Sequence, residues 1–305
     1  MQQRFYSNGK LLLTGEYVVL DGAQALAFPT KFGQDLVIQP ASGGKIYWKS
    51  CNQDGSVWFE DTFEFSEICN PDYVEKYDSV KSTLLEILHK GYLKNPAFIL
   101  ESDGYSVATH LTFPKNWGLG TSSTLINNIA QWLQIDAFEL LNNSFGGSGY
   151  DIACAQNDSP VLYQLDNGLP NVNHVRFDPD YKDDLYFIYL NKKQSSKAAI
   201  ASYYHNRTNK IDRTASQITR ITQNVLASTD VRSFAYELEK HETIMSEVLE
   251  MRTVKEALFP DFKGVVKSLG AWGGDFVLAV SSTDPTEYFV KKGYNTVIPF
   301  SGMMF

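Results

Sequence analysis

The chain has 305 residues, a formal net charge of -8, 43% hydrophobic residues and 20% charged residues. This composition is typical of a folded globular protein with room for one large or two ordinary domains. Because acidic and basic residues are interspersed along an acidic chain, we expect neither a nucleic acid nor a membrane surface as its partner.

Cysteine and histidine usage excludes further classes of protein. The 3 cysteines, Cys51, Cys69 and Cys154, form neither a disulfide framework nor a metal-binding pattern, and the 5 histidines are scattered. The first residues lack the apolar core of a signal peptide, and no apolar run reaches the roughly 18 residues of a transmembrane helix. We therefore expect a cytoplasmic protein with no membrane span.

The opening section of the chain is predicted to be rich in β-structure. Residues Lys10–Leu20 hold two apolar runs separated by Thr14-Gly15-Glu16, which predicts a strand, a bend and a second strand. Alternating side chains predict three further strands at Asp35–Gln39, Lys45–Lys49 and Ser56–Glu60. Gly43-Gly44 and Asp54-Gly55 are the predicted hairpin turns between them.

Helical spacing of apolar residues predicts a helix that begins after Gly120, and it predicts other helices farther along the chain. These lie at Ser82–Leu93, Ala137–Asn142, Thr214–Ala227 and Val231–Arg252. His241 lies on the apolar face of the last of them, together with Leu238 and Met245. We interpret His241 as a packing residue and not as a metal ligand.

Several short apolar runs predict additional strands. Ala97–Glu101 and Tyr105–Phe113 are predicted to form a hairpin around Asp103-Gly104. The other predicted strands are Val161–Leu165, Leu185–Leu190, Phe276–Val280 and an edge strand near Thr296–Phe300. The polar segment between residues 165 and 185 is the predicted domain boundary.

Gly118-Leu119-Gly120 and the hydroxyl residues Thr121, Ser122 and Ser123 connect a predicted strand to a predicted helix. Glycines let backbone N–H groups approach an anion, and the amides and dipole at a helix start favour negative charge. Hydroxyl groups there can cap the helix, bind a phosphate oxygen or reach Mg²⁺. The stretch fits a phosphate-binding turn, and it fits an ordinary helix N-cap after a tight turn equally well.

A second glycine-rich stretch surrounds Asp151. Gly146, Gly147 and Gly149 precede this residue, and an apolar run, Ile152–Ala155, follows it. A carboxylate in this setting can lie close to a ligand with restricted access of solvent. From these residues alone, however, a helix cap is the favoured interpretation of Asp151.

Two later stretches also carry patterns of interest. Asn191–Lys197 contains lysines and serines at a strand-to-helix junction, which suits either an anionic substrate or a solvated loop. Gly270, Gly273 and Gly274 precede a predicted strand and form either a loop that closes over a ligand or a tight β-turn.

Three segments, in this order, resemble the three motifs of the GHMP kinase family, which includes galactokinase, homoserine kinase, mevalonate kinase and phosphomevalonate kinase. They are Ser7–Gly22, Pro114–Thr124 and Leu269–Phe276. Gly147–Ala153, GSGYDIA, resembles the segment that carries the catalytic aspartate of mevalonate and phosphomevalonate kinases. Trp272 departs from the family pattern, which prefers glycine there, so it either narrows the nucleotide site or stacks on a ligand.

This resemblance implies an α+β fold. An N-terminal domain like ribosomal protein S5 domain 2, residues 1–168, is expected to bind the ATP phosphates and carry catalysis. A ferredoxin-like GHMP kinase domain, residues 169–305, is expected to carry the third motif.

The resemblance also implies roles for individual residues. Asp151 and Lys10 are the implied catalytic residues: the aspartate orients or deprotonates the attacking oxygen, and the lysine stabilises charge on the phosphoryl group. Ser122 is the implied Mg²⁺ ligand. The implied ATP-binding residues are Lys115, Asn116, Trp117, Gly118, Leu119, Gly120, Thr121, Ser122, Ser123, Gly270, Gly273 and Gly274. The implied substrate-binding residues are Glu16, Gly149, Tyr150, Lys193, Ser195 and Ser196.

The function that the resemblance implies is ATP-dependent phosphorylation of a small molecule, with ATP and Mg²⁺ as cofactors. Mevalonate or phosphomevalonate, in isoprenoid synthesis, is the expected acceptor. Two alternatives stay open: a kinase for a sugar or another small alcohol, and a non-catalytic relative that binds nucleotide. We expect a small-molecule substrate as the partner, and the sequence allows a homodimer.

Overall fold

The computed structural model describes residues 1–70, 79–193, 203–204 and 211–305. Ser195 and Ser196 lie outside these described residues, whereas Lys193 lies within them and is exposed. In the described parts of the chain, no helix is both long enough and apolar enough to cross a bilayer.

The chain forms two compact units that interleave in sequence. Unit 1 comprises residues 1–9, 32–115 and 120–156, and unit 2 comprises residues 10–31, 116–119 and 157–305. A domain boundary at residue 168 stays a prediction.

The sheet of unit 1 is built from strands of mixed direction. Its members are β3 (Lys45–Cys51), β4 (Val57–Glu64), β5 (Gly104–Leu111) and the later part of β2 (Ala25–Pro40), to which β1 (Gln3–Thr14) is paired. Strand β5 lies between β2 and β3: it pairs antiparallel with β2 and parallel with β3. Strands β3 and β4 form an antiparallel hairpin through Asp54-Gly55, as predicted.

Helices cover one face of this sheet. They are α1 (Phe65–Cys69), α2 (Val80–Lys94), α3 (Ala97–Leu100), α4 (Thr121–Leu133), α5 (Ala137–Ser144) and α6 (Tyr150–Ala155). Strand side chains such as Leu36, Trp48 and Val107 pack with helix side chains such as Leu88 and Ile129 in one buried cluster. Because alternate side chains of a strand point to the same face, this cluster removes one side of the sheet from water.

A buried polar network holds α4 against the strands of unit 1. Asn128 Nδ2 donates to Gln34 O at 2.9 Å, and Asn128 Oδ1 accepts from Ser7 Oγ at 2.8 Å. Asn127 Nδ2 also donates to Ser7 Oγ, at 2.8 Å, and Thr124 Oγ1 donates to Gln34 Oε1 at 2.7 Å. Polar groups buried in this way require their partners, so the network fixes the position of the helix on the sheet.

Unit 2 contains two groups of strands. Strand β6 (Val161–Asp166) pairs with β7 (Leu169–His174) and with Ala25–Ala27 of β2. A separate sheet has the order β11-β8-β10-β9 and is antiparallel throughout. Its strands are β8 (Leu185–Tyr189), β9 (Val265–Ser268), β10 (Phe276–Val280) and β11 (Val297–Pro299).

The described helices of unit 2 include two long ones that pack against each other, α7 (Ile211–Ala227) and α8 (Val231–Leu249), as predicted. The others are α9 (Val254–Leu258), α10 (Thr286–Lys291) and α11 (Phe300–Met303). Helix α8 also packs against β9, which brings its buried face to the charged residues described below.

Two of the predicted strands are wrong. Residues Val18–Asp21 form a 3-10 helix, because Tyr17 adopts φ 61° and ψ -50° and so ends the extended chain. Residues Ala97–Leu100 form α3, because Pro96 at its start has helical backbone angles, φ -70° and ψ -17°, and ends the extended chain.

Two predictions about strand order are also corrected. Gly43-Gly44 does not make a hairpin, since β5 lies between β2 and β3. The polar segment after β6 contains β7, a strand that the sequence analysis missed. Its burial pattern, exposed and intermediate with no fully buried residue, explains why no apolar signal marked it.

We expect Asn128→Ala to lower the free energy of unfolding by roughly 2–3 kcal/mol, because Ser7 Oγ and Gln34 O both lose a buried partner. Urea unfolding of the purified protein measures this change. The matched control is Asn142→Ala, an exposed asparagine on α5. Equal effects of the two variants would contradict the structural role of the network.

Candidate functional site

The second motif begins α4 in unit 1. Its N-cap is Gly120 at φ 91°, a left-handed conformation that favours glycine, and no side chain caps the helix. Ser123 Oγ donates to Gly120 O at 2.9 Å, and Thr124 bonds to Gln34. Ser122 is the exposed hydroxyl of this first turn and Thr121 is partly exposed. A helix start without a side-chain cap and with an exposed hydroxyl has the chemistry of an anion site.

The preceding turn, residues 116–119, belongs to unit 2 and lies against the third-motif loop of the same unit. Gly118 has φ 71°, and a Cβ atom on it would lie 2.2 Å from the Asp275 carboxylate carbon. A side chain at position 118 would strain the left-handed backbone and would also collide with the Asp275 carboxylate.

Lys10 reaches this turn from β1. Its backbone N–H donates to Leu119 O at 3.0 Å, and its ammonium Nζ donates to Gly118 O at 3.1 Å. The lysine charge is thus held at the carbonyl side of the glycine turn. This contact brings together two of the residues that the sequence resemblance selected, Lys10 and Gly118.

The residues before the glycine turn are packed on aromatic rings. In unit 1, Lys115 Nζ lies 3.4 Å from the centre of the Trp58 ring. In unit 2, Tyr189 Oη donates to Asn116 O at 2.9 Å, and Trp117 contacts the ring of Phe276 edge to face at 5.4 Å. Such cation–π and aromatic contacts fix the approach of the chain to the turn.

Asp151 lies in the first turn of α6, which packs against α4 within unit 1. The N-cap is Gly149 at φ 89°, so the carboxylate does not cap the helix from the N-cap position. Its Oδ1 accepts the N–H of Ile152 at 3.2 Å, and the residue is partly exposed. Gln156 Nε2 donates to Asn127 Oδ1 at 3.1 Å and ties the end of α6 to α4.

The third-motif loop of unit 2 contains several left-handed residues, namely Gly270, Gly273 and Asp275. Trp272 within it is only 3% exposed. Its backbone N–H donates to Tyr17 Oη at 2.9 Å, and its indole N–H donates to Arg252 O at 3.2 Å. The indole is therefore packed inside unit 2, and either predicted effect of Trp272 on a ligand stays a prediction.

A cluster of buried charged residues lies beneath the first motif in unit 2. We call Glu16, His241, Glu242 and Lys267 the buried cluster; each is at most 8% exposed and Lys267 is at 0%. Lys267 Nζ pairs with Glu16 Oε1 and, at 3.3 Å, with Glu242 Oε1. The Glu242 carboxylate in turn accepts the N–H of Ser268 at 3.1 Å. A buried ammonium needs such compensation, since an uncompensated charge costs several kcal/mol.

The atoms facing one another in this cluster define where protons lie. Gly15 N–H donates to His241 Nε2 at 3.0 Å, so that nitrogen carries a lone pair and no proton. Glu16 Oε2 lies 3.1 Å from the same nitrogen. Glu16 Oε2 and His241 Nδ1 are buried and have no hydrogen-bond partner in the described part of the chain.

The ionisation properties of the cluster agree with this geometry. Burial raises the pKa of Glu16 from 4.5 to about 7, although the charge of Lys267 opposes the change. Burial also raises the pKa of Glu242, and it lowers the pKa of His241 well below its usual value. Burial therefore favours a neutral imidazole at His241 and extends the pH range over which Glu16 can hold a proton.

The chain bends sharply directly after Glu16. Val18 N–H donates to Glu16 O at 2.7 Å across Tyr17, whose φ of 61° and ψ of -50° are those of a strained γ-turn. A non-glycine residue in such a conformation costs about 1–3 kcal/mol and persists only where its surroundings enforce it.

Other predicted site residues have simpler surroundings. Gly149 is buried and Tyr150 partly buried at the start of α6, while Lys193 is exposed. The described partners of Glu16 are protein groups, and its substrate contact stays a prediction.

His241 packs in the core of unit 2, as predicted. The sequence analysis missed its contacts with Glu16 and Gly15, and it missed the buried residues Lys267 and Glu242. The one available signal was a lysine within an otherwise apolar strand.

The described residues offer part of what a Mg²⁺ site needs. In the portion of the chain that the structure describes, no group of three His, Cys, Asp or Glu residues has the arrangement of a metal site. Mg²⁺ usually binds through substrate phosphates and waters with few protein ligands. The exposed Ser122 hydroxyl is suited to be one such ligand.

No protein-family model matches the chain, and no curated protein sequence matches it either. Solved structures do. Phosphomevalonate kinase of Streptococcus pneumoniae, in complex with phosphomevalonate and AMPPNP, is 18% identical with a TM-score of 0.70, over 99% of this chain and 98% of its own. Mevalonate kinase of Methanococcus jannaschii is 14% identical with a TM-score of 0.70, over 98% and 97%. Galactokinase of Lactococcus lactis, in complex with galactose, is 15% identical with a TM-score of 0.63, over 95% and 88%.

These likenesses define the class of fold: the chain has the α+β fold of the GHMP kinases, as predicted. Within that class, the structures of a phosphomevalonate kinase and a mevalonate kinase each match nearly the full length of the chain.

We expect the stability of wild type relative to Glu16→Gln to fall as pH rises. Because the folded-state pKa of Glu16, about 7, exceeds its usual 4.5, the stabilisation from the protonated carboxyl is complete below pH 4.5 and is lost as pH approaches 7. The shift corresponds to about 3 kcal/mol. Glutamine imitates the protonated acid, since its carbonyl can accept from Lys267 while its amide donates to His241.

Urea unfolding at several pH values between 5 and 8 measures this difference. Glu247→Gln, an exposed change on the same helix as His241, is the control and should follow wild type. A free energy of unfolding that differs between wild type and Glu16→Gln by the same amount at every pH would show that Glu16 carries no proton.

His241→Leu should show the opposite pH dependence. Because the pKa of His241 is lowered in the folded protein, wild type loses stability as pH falls below about 6.5, and the variant should not show that loss.

Proposed function

We propose that the protein is an ATP-dependent small-molecule kinase. The observation that carries the proposal is the uncapped start of α4 with its exposed Ser122, packed against the helix that carries Asp151, in a chain with the GHMP kinase fold. In this proposal, the backbone amides of Gly118–Ser123 bind the ATP phosphates. The other proposed ATP-binding residues are Lys115, Asn116, Trp117, Gly270, Gly273 and Gly274. This arrangement suits phosphoryl transfer, which depends mainly on positioning and charge neutralisation.

The proposed reaction uses two charged residues. Asp151 orients or deprotonates the attacking oxygen, which is a hydroxyl oxygen of mevalonate or a phosphate oxygen of phosphomevalonate. That oxygen forms a bond to the γ-phosphorus. The bond between the γ-phosphorus and the bridging oxygen breaks, and ADP leaves. Lys10 neutralises charge that develops on the phosphoryl group. Ser122 and the substrate phosphates would hold Mg²⁺, which would supply further charge neutralisation when bound.

Mevalonate or phosphomevalonate is the acceptor that we propose. The support is the likeness to a phosphomevalonate kinase and a mevalonate kinase over nearly the whole chain, together with the GSGYDIA segment. In this proposal Gly149, Tyr150, Lys193, Ser195 and Ser196 contact the acceptor. A sugar is the second candidate, because a galactokinase shares the fold.

We expect Asp151→Ala to reduce turnover by at least about 100-fold while ATP still binds, because the proton acceptor is lost and the phosphate-binding turn is intact. ADP release with Mg·ATP measures turnover, and calorimetry measures ATP binding. Asp158→Ala, an exposed aspartate shortly after α6, is the matched control. Undiminished turnover in Asp151→Ala would remove this residue from the mechanism.

The acceptor is tested by the same assay with mevalonate, phosphomevalonate, and a panel of sugars and amino alcohols. Turnover that depends on one acceptor identifies the substrate. ATP binding without transfer to any acceptor would favour the non-catalytic relative and contradict the proposal.

A further inference from the structure

The first-motif turn is held from below by hydrogen bonds to side chains far away in sequence. Gly15 N–H reaches His241, and Glu16 reaches both Lys267 and His241. Gly15 itself has φ 90°, and a Cβ atom on it would lie 2.6 Å from Ala25 Cβ. The backbone of the first-motif turn is therefore tightly packed at Gly15, and the conformation of the turn depends on the contacts of Glu16.

The strained residue next to Glu16 supports the third motif. The Tyr17 hydroxyl accepts the N–H of Trp272 at 2.9 Å, and its ring stacks on Tyr203 at 5.6 Å. Tyr203 in turn donates to Asp21 at 2.5 Å. Trp272 lies in the loop whose Asp275 carboxylate packs against Gly118. A continuous series of contacts in unit 2 thus leads from Glu16 to the glycine turn.

We propose that Glu16 is a positioning residue: its ion pair with Lys267 fixes the first-motif turn and thereby holds Tyr17 where its hydroxyl supports the third-motif loop. The titratable groups facing it are His241 and Glu242 from α8 and Lys267 from β9. The effect of Glu16 on catalysis rests on the proposed kinase function, whereas its effect on the turn does not.

Hydrogen–deuterium exchange of the whole protein tests the structural part. In Glu16→Leu, which cannot bond to His241 or Lys267, peptides covering residues 15–19 and 270–275 should exchange at least about 10-fold faster than in wild type. Glu16→Gln should restore protection in both peptides. Phe289→Leu, a fully buried change on α10 that contacts none of the cluster, controls for general loss of stability. If Glu16→Leu proves too unstable, His241→Leu, which removes the acceptor of the Gly15 N–H, should expose the same two peptides.

Kinetics with the acceptor found above tests the catalytic part. Glu16→Leu should lower kcat at least about 10-fold with the KM for the acceptor changed little, and Glu16→Gln should recover most of that loss. A raised acceptor KM in Glu16→Gln, with both peptides still protected, would make Glu16 a substrate contact and overturn the proposal. Wild-type exchange in Glu16→Leu, or unrestored exchange in Glu16→Gln, would overturn it as well. Absence of turnover in wild type would contradict the proposed function. In that case, hydrogen–deuterium exchange would still test the positioning role of Glu16 on its own.

Discussion

The buried ammonium of Lys267 is the constraint on which the core of unit 2 depends. A lysine that is 0% exposed must be matched by anionic oxygens and hydrogen-bond acceptors, or the fold pays several kcal/mol for it. Glu16, Glu242 and Ser268 O meet that requirement from three separate segments. Because each partner comes from a different part of the chain, satisfying one charge fixes the first-motif turn, α8 and β9 together. Apolar residues of similar size would fill the space without fixing those segments so closely.

The sequence predicted those elements whose signal is local. Helix α4 has apolar residues at helical spacing, and the Asp54-Gly55 turn has the residues that a tight hairpin requires, so both predictions are confirmed. Gly43-Gly44 has the same local signal, yet β5 lies between the strands that it joins, because strand order is decided by pairing with a segment about 60 residues away. Residues 97–100 are apolar enough for a strand, yet Pro96 begins a helix there with backbone angles of φ -70° and ψ -17°.

The same distinction separates the parts of the candidate site. Glycine turns at Gly118–Gly120 and Gly147–Gly149 are visible in the sequence because glycine favours their left-handed conformations. The resemblance to GHMP kinases, and not the turns alone, implies an anion site at the first and a catalytic carboxylate beside the second. The contact between Glu16 and Lys267 spans 251 positions, and neither residue has a neighbour in sequence that reveals it. His241 illustrates the limit: its helical spacing correctly predicted burial, but spacing does not tell which buried polar atoms face one another.

Both charges at the glycine turn are held by the protein within unit 2. The ammonium of Lys10 donates to Gly118 O, and the Asp275 carboxylate packs against the same glycine. In the proposed kinase, the backbone amides and dipole at the start of α4 would attract the phosphates, because no side chain caps that helix. Lys10 would add its charge at the transferred phosphoryl group. A divalent cation bound with the nucleotide would reduce the negative charge that these groups have to meet, so the proposed kinase should bind Mg·ATP more tightly than free ATP.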